Sequence, residues 1–251
     1  MANHSIILGH GPHKVLALHG WFGSARAWAP LQAVLNTEEF TYVFMDCRGY
    51  GDAIALEGEY TMAEVARDAL ALADELDLAT FSLVGHSMGG MAIQQLLLDA
   101  PQRVRKLVAI TPVPACGVPF DAAAWELFSG AAHDAGARRA ILNMSTGDRL
   151  SPHWLDGMVR QSQQHSRAAA FGAYLESWAR SDISAAVAGN PVPVQVYVGA
   201  HDPGLNAAFM EQTWLRWYPN AQLEIIANAG HYPMDETPVA LATSMEAFLR
   251  A

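Results

Sequence analysis

Six short, nearly unbroken apolar runs punctuate the chain: KVLALHG around Val15, TYVFMD around Val43, FSLVGH around Val84, KLVAI around Val108, VPVQVYVG around Val196 and QLEIIA around Ile225. Polar residues do not alternate with apolar ones in these runs, which predicts strands buried on both faces, as in a parallel sheet covered by helices. A seventh run, SIILG around Ile7, precedes the turn-prone stretch Gly9–Pro12 and is expected to pair antiparallel at the front of the sheet. Between the runs the spacing becomes helical. YTMAEVARDALALADEL sets Thr61 three residues before Glu64, a capping box ahead of an amphipathic helix. SPHWLDGMV offers Ser151 as an N-cap and Pro152 as the first helical residue. Strands alternating with helices predict an α/β fold with a doubly wound, mostly parallel sheet. Sheets of that kind hold their ligands beyond the carboxyl ends of the strands.

The alternation breaks once. From Val113 to Gly189 the pattern offers helices rich in Ala, Trp and Phe and no strand. A stretch of that length is too long for a loop, so a helical lid inserted over the sheet is expected. The organisation read from the pattern is a first core segment at 1–112, the lid at 113–189 and a second core segment at 190–251, with NPVPV (Asn190–Val194) marking the return. Asp235 and Glu236 are expected to begin the final helix, with Pro238 just inside it.

Composition narrows the partners. At 251 residues the chain can bury about three quarters of its unfolded surface without staples. A hydrophobic fraction of 51% against 16% charged residues fits a core-rich globular protein. The net charge of −10 disfavours a nucleic-acid partner, which needs clustered Lys and Arg. No stretch is apolar enough to span a membrane, and MANHSIILGHGPHK lacks the basic-then-apolar layout of a secretory leader. Together with only two cysteines, Cys47 and Cys116, this sets the expectation of a cytoplasmic protein with reduced thiols. A homodimer is left open. No His-x-x-x-His pair or similar spacing points to a metal, and no cofactor is called for.

The chemistry concentrates in SLVGHSMGGMAIQQLLLDAP, Ser82–Pro101. A strand pattern runs into Ser87 and a helical pattern leaves it with no loop between. A serine hydroxyl is a weak nucleophile until a base takes its proton and a rigid frame holds it in the path of a substrate. A sharp strand-to-helix turn supplies the frame, and glycine at positions 85 and 89 lets neighbouring backbone approach. The same turn aims the first amides of the helix, that of Met88 included, at negative charge forming above Ser87.

This Gly-x-Ser-x-Gly, with a strand before it and a helix after, resembles the nucleophile elbow of the α/β-hydrolase family. The resemblance implies a triad in the order serine, acid, histidine, each at the end of a later strand. Asp202, in AHDPG after VPVQVYVG, and His231, in NAGHYPMDETP after QLEIIA, occupy those places. His231 would take the Ser87 proton, and Asp202 would hold the other ring nitrogen. His19-Gly20-Trp21-Phe22-Gly23 is similar to the family's His-Gly-x loop and implies Trp21 and Met88 as the main-chain oxyanion donors. DCRGYGD, Asp46–Asp52, also looks like the family, with Ala53 where it often has serine. Asp46 and Arg48 are expected to pin that loop. His86 is expected to support the elbow.

A serine at the elbow points to acyl transfer. Aspartate there would suggest dehalogenase or epoxide-hydrolase chemistry, and cysteine dienelactone hydrolase. GHSMGG resembles the carboxylesterase and lactonase branch, so the expected reaction is hydrolysis of a small-molecule ester or lactone through an acyl-enzyme, slowing toward acidic pH as His231 protonates. An acyltransferase, a thioesterase, a carbon–carbon bond hydrolase, or a ligand receptor that keeps the triad with little turnover stay open. Trp21, Phe22, His86, Trp125, Phe128, Trp154, Tyr174 and Trp178 are candidate pocket residues, and Met158 and Phe171 share their spacing. A stripe of aromatics on helices is more often core than pocket. Such a pocket would favour a small apolar or aromatic acyl group.

Overall fold

The computed structural model describes residues 4–251; the first three residues of the expected 1–112 segment lie outside this range. Seven strands build one sheet: β1 (Ser5–Leu8), β2 (His13–Leu18), β3 (Phe40–Met45), β4 (Phe81–His86), β5 (Val104–Ile110), β6 (Val194–Gly199) and β7 (Ala221–Ile226). Across the sheet the order is β1-β3-β2-β4-β5-β6-β7, and every neighbouring pair except β1–β3 is parallel. Strands β3, β4 and β6 are buried at every position, which is why their sequences carry apolar residues on both faces.

The front strand pairs differently from the simplest hairpin. β1 is antiparallel, as expected, but it lies against β3, with Ser5 opposite Met45 and Leu8 opposite Tyr42. The Gly9–Pro12 turn leads to β2, yet β3 and β4 already occupy both edges of β2. No hydrogen-bonding edge of β2 remains for β1, so the turn carries the chain past β3.

Strand β2 is followed in sequence by β3 on one side and is flanked by β4 on the other. The chain therefore reverses its winding direction between β2 and β4, and a crevice opens beyond their carboxyl ends. Leu18 pairs with Gly85 across this gap, so the loop after β2 and the turn after β4 emerge side by side. Helices cover the faces. Thr61 caps Met62–Glu75 by accepting the Glu64 N–H at 3.1 Å. Val65, Ala69 and Leu72 lie one above the other on its buried stripe. That helix packs on Met88–Asp99.

Between β5 and β6 stand helices Ala122–Gly130, Ala135–Ser145, Pro152–Gln164 and Ala168–Arg180, with a short turn of helix at Ser184–Val187. Asp121, Asp134 and Ser151 each cap a helix by accepting an early N–H, and Pro152 sits at the first turn. This segment is tied to the loop after β3: Arg167 N–H donates to Gly49 O at 2.8 Å and Tyr174 Oη to Arg48 O at 3.2 Å. Asp46 and Arg48 hold that loop in turn. The Asp46 carboxylate accepts the Ala25 and Asp52 N–H groups, and Arg48 grips Asp68 with two nitrogens.

The C-terminal end needs one correction. Asp235 and Glu236 lie in a separate short helix, Pro233–Glu236, and the final helix runs Pro238–Arg250 with Pro238 in its first turn. Glu236 turns back instead of starting the last helix. Its carboxylate accepts the N–H groups of Gly230 and Tyr232 and pairs with Arg149 at 2.7 Å. Among the described residues no helix is long and apolar enough to cross a membrane.

Candidate active site

Ser87 sits between β4 and helix Met88–Asp99 with φ 52° and ψ −115°, a backbone region that residues with a Cβ rarely adopt. Hydrogen bonds impose it. Ser87 N–H donates to Ile110 O at 3.0 Å, while Ser87 O accepts from Gly90 N–H at 2.8 Å and Val113 N–H at 2.9 Å. The flanking glycines are sterically required. A Cβ on Gly85 would stand 2.4 Å from Gly89 O, and one on Gly89 would stand 2.3 Å from Leu18 O. Ser87 Oγ makes no hydrogen bond to any described residue, His231 Nε2 included.

Two buried main-chain donors lie beside it. The N–H groups of Trp21 and Met88 find no acceptor among the described residues. Met88 opens its helix, where no earlier carbonyl can reach it. Trp21 lies in a turn closed by Gly23 N–H to Gly20 O at 2.9 Å. His19 stiffens this turn from inside, with Nδ1 donating to Gly20 O at 2.8 Å and Nε2 accepting from Cys47 N–H at 3.1 Å. Both ring nitrogens are used in the neutral form, and burial holds the His19 pKa below its ordinary value against the opposing pull of Asp46.

Asp202 follows β6 and His231 follows β7. His231 Nδ1 stands 2.6 Å from Asp202 Oδ2. The other carboxylate oxygen accepts Gly204 N–H at 2.9 Å and Leu205 N–H at 3.0 Å. Three donors therefore satisfy a carboxylate that is 5% exposed. A carboxylate at Nδ1 fixes the proton there and leaves Nε2 as the acceptor, the tautomer a base requires.

Ser87, Asp202 and His231 all border one cavity of about 130 Å³. Of the aromatic candidates, Trp21, Phe22, His86, Phe128 and Trp178 line it. Trp125, Trp154 and Tyr174 do not. Trp125 lies under the Arg180 guanidinium, Trp154 packs edge-on to Tyr232, and Tyr174 is fully buried between Tyr50 and Tyr60. Sequence reasoning missed Phe120, Ile141, Met144 and Leu205, which also line the cavity. Ile141 and Met144 are three apart on helix Ala135–Ser145, a spacing that helical period alone would have grouped. Among the described residues no Lys or Arg borders the space. His86 is 5% exposed, and burial followed by the nearby His231 holds its pKa well below the ordinary value. Among the described residues no cluster of three or more His, Cys, Asp or Glu could hold a metal.

Known proteins resemble this chain at several ranges. A family model described as the alpha/beta hydrolase family matches residues 15–244. The carboxylesterase YbfK of Bacillus subtilis is 28% identical over 257 aligned positions, covering 97% of this chain and 83% of that protein. RutD of Caulobacter vibrioides, provisionally named a carbamate hydrolase, is 41% identical over 101 residues. That stretch is 40% of this chain and 37% of RutD, so the match spans little more than a third of that relative. An esterase from Exiguobacterium antarcticum superposes with a TM-score of 0.87 at 18% identity, covering 98% of this chain and 95% of that one. A thermophilic esterase from Thermogutta terrifontis gives 0.84 at 23%, covering 98% and 92%. These two likenesses are of fold. With the family model spanning almost the whole sheet and its crevice, the chain belongs to the alpha/beta hydrolase family.

Proposed function

We propose that this chain is a serine hydrolase that cleaves a carboxylic ester or lactone of a small, uncharged, apolar acid. The observation that carries the reading is the 2.6 Å contact of His231 Nδ1 with the buried Asp202 carboxylate, on the wall of the cavity that Ser87 also borders. In this mechanism His231 Nε2 takes the Ser87 proton as Oγ attacks the carbonyl carbon, and the Trp21 and Met88 N–H groups receive the oxyanion. The imidazolium, steadied by Asp202, then protonates the leaving alkoxide. Water, deprotonated by the same nitrogen, attacks the acyl-enzyme and releases the acid.

The wall sets the acyl group. A dry apolar cavity of roughly 150 Å³ holds a benzene-sized molecule, and the space here is about 130 Å³ with aromatic and aliphatic walls. That favours short branched or single-ring acyl groups. The absence of Lys and Arg from the lining disfavours a free carboxylate on the substrate. A carbamate presents the same carbonyl to the same groups, and the local likeness to RutD makes it the second substrate to try.

The test is turnover of p-nitrophenyl esters from acetate to octanoate, small lactones and an aryl carbamate, with Ser87→Ala alongside. Multiple turnover that falls by about 10³-fold or more in the variant is expected. Turnover retained by the variant overturns the assignment of Ser87. A single stoichiometric burst in the wild type replaces the enzyme with a ligand receptor.

A further inference from the structure

The main chain of His231 is held from three sides by groups outside the relay. Its carbonyl oxygen lies 2.8 Å from His86 Nε2 and 3.0 Å from Thr111 Oγ1. Its N–H donates to Ser145 O at 3.1 Å. A carbonyl only accepts, so His86 carries its proton on Nε2 and Thr111 donates its hydroxyl. Both donors are buried, at 5% and 0% exposure.

Their places in the chain matter. His86 immediately precedes Ser87, so one hydrogen bond joins the residue before the nucleophile to the backbone of the base. Thr111 immediately follows Ile110, whose carbonyl accepts the Ser87 N–H at 3.0 Å. The end of β5 therefore touches both partners of the proton transfer. Thr111 is also strained. Its φ is 38°, in the left-handed region that a β-branched residue avoids, and its own N–H is pinned to Tyr197 O at 2.7 Å. A glycine would take that conformation without cost, but it would bring no hydroxyl.

We infer that His86 and Thr111 are positioning residues that clamp the His231 carbonyl and so fix the distance between the imidazole and Ser87 Oγ. This rests on His231 being the base. Thr111 stands outside the cavity lining that includes His86, so the Thr111 half of the clamp acts on proton transfer apart from substrate binding. There a misplacement of about 1 Å can cost about 10²-fold.

The test compares Thr111→Val, which keeps shape and branching but loses the donor, with Thr111→Ser, which keeps the hydroxyl. Thr111→Val is expected to lower kcat by about 10- to 100-fold with KM within about twofold, and Thr111→Ser to recover most of it. His86→Leu and His86→Gln form a second pair, because the glutamine amide nitrogen can reach where Nε2 stands. Unchanged kcat in folded Thr111→Val and His86→Leu overturns the inference, as does a loss that Ser and Gln fail to recover. Labelling of Ser87 by an organophosphonate gives the same comparison without any substrate. A wild type that labels but does not turn over refutes the hydrolase reading and leaves the clamp testable by labelling rate. A wild type that does not label overturns both. Should both donor-deleted variants fail to fold, the imidazole nitrogen spectrum of the wild type decides. A neutral His86 protonated on Nε2 at pH 7 is expected, and protonation on Nδ1 refutes the clamp.

Discussion

Replacing Asp202 by asparagine tests the proposed relay most sharply, because the surroundings dictate how the amide must sit. Asp202 Oδ1 accepts two main-chain N–H groups, from Gly204 and Leu205. An NH2 group turned toward them would set donors against donors, so the amide oxygen takes that side. The NH2 group then occupies the place of Oδ2 and donates to His231 Nδ1, now 2.6 Å away from a carboxylate oxygen. The ring proton moves to Nε2, and the nitrogen that should accept the Ser87 proton already carries one. Regaining the working tautomer breaks a buried hydrogen bond, which costs about 1–2 kcal/mol. The imidazolium also loses a carboxylate partner, worth about 4 kcal/mol for charges roughly 4 Å apart at an effective dielectric of about 20. Together these come to about 5–6 kcal/mol, or about 10⁴-fold in kcat. The assay is hydrolysis of a short p-nitrophenyl ester with melting curves to establish folding. Asp202→Ala, which forces no tautomer, is expected to be no slower than Asp202→Asn. A folded Asp202→Asn protein that keeps more than about 1% of the wild-type kcat refutes the reasoning.

Other expectations follow from the packing. Burial, reinforced by neighbouring Glu236, raises the Asp235 pKa from 3.8 to about 7. The folded protein then holds a proton that the unfolded chain releases, so stability is full below about pH 4 and falls as pH rises toward 7. Asp235→Asn removes this loss. Its melting temperature should match the wild type near pH 4 and exceed it above pH 7, with a ceiling of about 4 kcal/mol; an offset independent of pH contradicts the cause. Trp178→Ala opens the acyl wall, and longer esters should gain relative to acetate by up to about fourfold per methylene, reflecting about 0.8 kcal/mol of burial each. An unchanged chain-length profile places Trp178 outside the acyl site. Gly89→Ala drives a Cβ to 2.3 Å from Leu18 O, so soluble expression should collapse; a folded, active variant would show that the elbow can move.

The sheet was legible because its strands are buried on both faces and the sequence must mark them with continuous apolar runs. Neighbour choice was less legible. SIILG looks the same whether it pairs with β2 or β3, and only the saturation of both β2 edges decides it. Ser87, Asp202 and His231 could be placed because each follows a readable strand. The cavity wall could not be read in the same way. Aromatic spacing places Tyr174 and Trp178 on one helix, four apart, yet Tyr174 turns into the loop after β3 and Trp178 borders the cavity. Which side of a helix meets the crevice depends on how five helices seat together, and no local pattern records that. Glu236 was missed for a related reason. Its partners at Gly230, Tyr232 and Arg149 are chosen by the fold of the loop, and the dipeptide Asp235-Glu236 equally resembles an ordinary helix start.

Trp21 belongs to two structures at once. Its main chain offers an amide beside Ser87, while its indole donates to Phe171 O at 2.7 Å and stacks on that ring at 4.0 Å. Any evolutionary or engineered swap that retailors the aromatic wall through this position also disturbs the anchorage of the amide, and any outward swing of helix Ala168–Arg180 tugs on it. Under the proposed mechanism, in which the Trp21 N–H receives the oxyanion, substrate range and rate are knotted together at one side chain, so selection for a roomier acyl site should proceed through Phe128 and Trp178 and spare Trp21.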